Sequence, residues 1–156
     1  MNTPLIFERA FRDTLAQYAA EVVPVSWMHM AMQPADGDNE AGNVRFPQML
    51  IQCGGKGVGS EGATWDTWLS VTMASISEDD PRGEQRAQMY EAVEDLLTPF
   101  RYADMTDERV EYFVNAVRQS LPTFTLGGFT PEATEGALVV DGLFIAVFTG
   151  TLHYDF

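Results

Sequence analysis

The chain has 156 residues, 46% of them hydrophobic, and 23 acids against 9 bases give it a net charge of −14. That length fits one domain, residues 1–156, around one core, and the hydrophobic share is that of a folded chain. Eight of the nine bases are Arg and the only lysine is Lys56, so no basic cluster exists to neutralise nucleic-acid phosphates or an anionic membrane surface.

The longest apolar run, residues 143–148, is far short of the ~20 residues that span a bilayer. The start, MNTPLIFERAF, has neither the basic segment nor the small-residue cleavage site of a signal peptide, and the lone Cys53 excludes an internal disulfide. These features lead to the expectation of synthesis in a reducing cytoplasm.

Thr3 before Pro4 is a helix start, and Phe7, Phe11, Leu15, Tyr18 and Val22 recur at the spacing of one buried face. The pattern predicts a helix over 4–21, ended by Pro24. A strand is expected over 23–32, with Val25, Trp27 and His29 on one face and Met28, Met30 and Met32 on the other. With both faces apolar, such a strand calls for helices on one side and something else, such as a neighbouring subunit, on the other. Residues 33–44, rich in Pro, Gly, Asp and Asn, are expected to form an exposed loop.

PQMLIQC at 47–53 predicts a second strand, and residues 54–62 a glycine loop. TWDTWLSVTMASIS then predicts a third strand with Trp65, Leu69, Val71 and Met73 on the apolar face and Asp66, Ser70 and Thr72 on the other. After the acidic turn EDDPRG comes an amphipathic helix, EQRAQMYEAVEDLL, with Ala87, Tyr90, Val93 and Leu97 on one stripe. A further helix is expected near 106–120, capped by Thr106 or Asp104, with Val110, Phe113, Val114, Val117 and Leu121 inward. The remainder reads as strands over 123–129 and 137–140, an Asp141-Gly142 hairpin turn, and a long last strand to Phe156. The expected class is α+β, a mainly antiparallel sheet with helices packed on one face plus the extra helix near 106–120.

Few residues offer chemistry. GVGSEG at 57–62 matches the dinucleotide pattern by letter, but a strand follows it where the motif needs a helix N-terminus. Lys56 lacks the Ser or Thr of a phosphate loop, and Ser60 lacks the first glycine of a nucleophile elbow. The acidic runs 36–40 and 78–81 lack the twelve-residue calcium loop and are expected to be solvated turns. His29 and His153 have no partner at zinc-ligand spacing and are read as packing or hydrogen-bonding residues. We therefore expect no catalytic residue, metal or cofactor. Met28, Met30 and Met32 fit either core filling or an adaptable contact surface. Trp65 belongs to the apolar face, whereas Trp68 points with Asp66 and Ser70 and is the strongest candidate for an interface anchor.

The succession of the helix from Pro4, the strand near Trp27, the P-x-x-x-I strand at Pro47 to Ile51, SVTMASISEDD, GEQRAQMYEAVEDLL and the late FTGTLHYDF strand resembles the tail terminator, or tail completion, proteins of long-tailed bacteriophages. Residues 4–99 and the final strand are covered, and no invariant chemical motif is involved. The helix at 106–120 departs from the compact form of the pattern, which leaves a terminator and another neck or minor tail component both open. The resemblance implies a non-enzymatic virion protein of the tail neck, assembled as a ring, commonly a hexamer, that caps the tail tube and joins it to the head connector. It also implies passage of DNA through the lumen, which an acidic chain would repel rather than trap. The loops 33–44 and 54–62, with Asp36, Asp38 and Lys56, are then the expected contacts to tube or connector, beside Trp68, Met28 and Met30. The competing expectation is a small-molecule or peptide-binding α+β domain with Trp and Met side chains lining a pocket.

Overall fold

The computed structural model describes residues 3–30, 45–55 and 65–156. Helix α1 (Thr3–Tyr18) buries Phe7, Ala10, Phe11 and Leu15 at intervals of three and four residues. It stops three residues short of the expected end, and the chain turns through Ala19–Val23 with the Val23 amide on the Ala19 carbonyl at 2.8 Å. Strand β1 starts later than expected. Val25–Trp27 forms a 3-10 turn, the Trp27 amide reaching the Pro24 carbonyl at 3.0 Å, and among the described residues of this stretch Met28–Met30 pairs as a strand. The strand preference of Val25 and Trp27 yields here to the reversal that brings the chain off α1 onto the sheet edge.

β2 (Gln48–Gly55) and β3 (Trp65–Ile76) follow, then α2 (Glu84–Leu97), a 3-10 turn at Pro99–Tyr102, α3 (Glu108–Arg118), β4 (Thr125–Val140) and β5 (Leu143–Asp155). The strands form one sheet in the order β1-β2-β3-β5-β4, with β1 and β2 parallel and every other pair antiparallel. The protein is thus α+β with a mostly antiparallel sheet and the additional helix at 108–118, capped by Asp107 rather than by Asp104 or Thr106: the Asp107 carboxylate accepts the Arg109 amide at 2.9 Å.

β4 corrects the expectation of two separate strands. It is one edge strand whose register slips at Gly127, at Glu132 and between Glu135 and Leu138. The slips absorb Pro131 and the glycines, and an edge strand needs no outward ladder bond from a proline.

The core lies between the helices and one face of the sheet. Its members on the four regular strands alternate, Met28; Met49 and Ile51; Leu69, Val71 and Met73; Ala146, Phe148, Leu152 and Tyr154, while β4 adds Leu126 and Phe129 across its first register slip. Aromatic rings fill the layer, with Phe7 edge-on to Tyr154 at 4.9 Å, Phe100 to Phe113 at 5.2 Å and Tyr90 to Phe148 at 6.0 Å. All three helices contribute to this one layer.

Candidate interaction surface

The residues between those core positions point the other way, and no described helix covers them. Register sets Gln52, Ser70 and Thr149 in one row across β2, β3 and β5, and Leu50, Thr72 and Val147 in the next. Trp68 stands opposite Gly54 on one side and Thr151 on the other. Its indole rests on the backbone of β2, where a Cβ added to Gly54 would fall 2.0 Å from the ring. Trp68 remains 39% exposed. None of the five strands contains Lys or Arg, and both histidines lie at positions of this face, His29 opposite Leu50 and His153 opposite Asp66.

Toward the β4 edge the face carries a polar chain over three strands. His153 Nδ1 meets Asp66 Oδ1 at 2.7 Å and its Nε2 meets Thr130 Oγ1 at 2.8 Å. The neighbouring Thr151 hydroxyl donates to Glu132 Oε1. Carboxylate, imidazole and hydroxyl in this connectivity match the order of an acyl-transfer triad. The amides of β5 are taken up by ladders on both sides and offer no oxyanion site. As it stands, the array ties β3, β5 and β4 together.

Met28 is corrected from surface candidate to core. It is 1% exposed and faces the helices, and Met30, half-buried, shares that side through its pairing with Ile51. Asp36, Asp38 and Lys56, together with the loop 33–44 and GVGSEG, lie outside the described residues. Trp65 packs against the core and Phe156, as its apolar position predicts.

Three residues carry roles that composition hid. Asp80, expected in a solvated turn, is 4% exposed. Its carboxylate accepts the Ser75 hydroxyl at 2.7 Å and the amides of Gln85 at 3.2 Å and Arg86 at 3.4 Å, capping α2 from three residues before Gly83. Burial alone would raise its pKa, but the hydrogen bonds from Ser75, Gln85, Arg86 and Glu84 outweigh it and hold the carboxyl below its usual value. Glu8, also buried, accepts the Cys53 amide at 2.8 Å, two residues past Ile51, the partner of Met30. Burial and then the Glu8 charge push the Cys53 thiol far above its ordinary value, which makes it a poor nucleophile. Tyr102, at the end of the 3-10 turn, is 87% exposed. The signals were a buried-length spacing from Asp80 to the helix start and an aromatic between two helices, and neither is specific.

A surface groove of about 600 Å³ runs between α1 and α3, bordered by Arg9, Asp13, Tyr18, Glu108, Glu111 and Tyr112. A second, apolar crevice under α1, between Cys53, Leu69 and Phe100, holds only about 10 Å³. Among the described residues no cluster of three or more His, Cys, Asp or Glu is placed to hold a metal ion. No helix there is long and apolar enough to cross a membrane. No family model matches the chain, and no curated protein matches it at a significant level.

Proposed function

We propose that the protein is a structural component of the phage tail neck, a ring-forming terminator that caps the tail tube and joins it to the head connector. The observation that carries the proposal is the one-sided sheet, whose helix-free face presents Trp68 and no Lys or Arg among the described strands. A sheet face of mixed Trp, Leu, Val, Thr and Gln, uncovered by its own helices, is the kind of surface a second subunit covers. A net charge of −14 per chain would keep a ring lumen from trapping DNA in transit. In this reading the protein is neither an enzyme nor cofactor-dependent, and it resides in the virion after synthesis in the host. Another neck or minor tail role would use the same surface.

The test is the native mass by light scattering after size exclusion, at two protein concentrations, with and without tail tubes. We expect a ring-sized species, or a monomer that becomes one on adding tubes. A concentration-independent monomer indifferent to tubes would overturn the proposal.

The α1–α3 groove favours a second reading, a domain that binds a small molecule or peptide against Tyr18 and Tyr112. Under it, the wild-type protein stays monomeric, and chemical-shift changes on adding a ligand map to those two tyrosines rather than to Trp68.

A further inference from the structure

We infer that the subunits join head to tail, the knob at Arg101, Tyr102 and Met105 of one copy seating on the helix-free sheet face of the next. This inference rests on the ring reading above. All three side chains of the knob are exposed, and Arg, Tyr and Met are among the residue types enriched where protein interfaces are buried.

The exposure of Tyr102 does not come from a loose loop. Phe100, fully buried, anchors the turn from below, and Pro99 fixes its start. The amides of Ala103 and Asp104 close it on the carbonyls of Phe100 and Pro99 at 3.1 and 3.2 Å. Gly128 of β4 lets the Arg101 carbonyl approach, since a Cβ there would fall 2.9 Å from that oxygen. A backbone braced in this way loses little freedom on docking, so ordering is confined to the side chains.

Charge selects the occupant. Among the described residues Arg101 makes no ion pair, while the described strands bring to the sheet face the carboxylates of Asp66, hydrogen-bonded to His153, and of Glu132 beside Trp68, and no Lys or Arg. Two such faces pressed together would set carboxylate against carboxylate. An arginine-bearing aromatic knob complements both the charge and the Trp68 anchor. Knob and face are different patches of one subunit, the knob in the helical layer beside β4 and the face on the far side of the sheet. Their contact is therefore heterologous and propagates to a closed ring when the rotation permits.

The experiment compares wild type, the knob variant Arg101→Glu with Tyr102→Ser, and the face variant Trp68→Ser by light scattering, alone and as a 1:1 mixture. Ser70→Arg, on a half-exposed position of the same face, is the parallel face variant should Trp68→Ser unfold; circular dichroism reports folding throughout. We expect rings from wild type, monomers from each variant, and heterodimers from the mixture, because one intact junction remains. Rings from the knob variant, or a mixture that stays monomeric, would overturn this inference and leave the ring reading standing. A wild type monomeric even with tail tubes would overturn both. Arg101→Lys adds a direct readout: a carbodiimide should join Lys at 101 to Asp66 or Glu132 of another copy, read as a cross-linked peptide by mass spectrometry. Cross-links from 101 confined to other carboxylates would contradict the docking.

Discussion

Met28 and Trp68 lie on opposite sides of one sheet, and the pair separates stability from assembly. Removing Met28, 1% exposed in the core layer, should cost about 2–5 kcal/mol on Met28→Ala, as for other large-to-small core changes. Removing the half-exposed Trp68 should change urea-unfolding stability by about 1 kcal/mol or less while abolishing oligomer formation. A Trp68→Ala protein with wild-type assembly and a large loss of stability would assign the indole to packing instead. The sequence already showed that Trp68 shares a face with Asp66 and Ser70, because period-two alternation fixes that. For Met28 and Met30 alternation gave the face but not its occupant. Which side receives helices depends on crossover geometry, and that is settled far away in the chain.

At the scale of elements, α2 depends on a carboxylate outside it. Gly83, at φ 67°, precedes the helix and offers no side chain, so Asp80 supplies the cap, its carboxylate held by the Ser75 hydroxyl. Asp80→Ala should destabilise the protein by about 2–3 kcal/mol at pH 7, combining a lost cap with a buried Ser75 hydroxyl left without its acceptor. The folded carboxyl is held below its ordinary value of 3.8. Its contribution is therefore complete above that pH and is lost as pH falls through the lower folded value. Urea melts should show a wild-type advantage that is constant from pH 7 to about 4.5 and shrinks below about 4. An advantage unchanged at pH 3 would mean that Asp80 acts through packing alone. Most elements were legible from periodicity: α1, β2, β3, α2, α3 and β5 stand close to where their apolar spacings put them. β1 and β4 were not. A proline turn took the start of the first, and bulges let the second run through Pro131, so residues that ordinarily mark a loop mark an irregular edge here.

For the whole molecule, the governing quantity is a charge of −14 on 156 residues. Copies gathered into a ring repel one another, and salt screens that repulsion over about 10 Å at 0.1 M. Raising ionic strength from about 0.05 to 0.3 M should increase the oligomeric fraction several-fold at fixed protein concentration, measured by sedimentation velocity. A decrease would show that the Arg101 contacts outweigh the net repulsion. The bareness of the sheet has a practical consequence as well. With no Lys or Arg in any of its five strands, the sheet contains no site for trypsin. No Lys or Arg lies between 119 and 156, so the whole β4–β5 hairpin, with Thr130 and His153, is released uncut on one long fragment. A tryptic digestion time course therefore watches only the helices and loops come apart, and following the sheet takes a protease that cuts at aromatic or acidic residues.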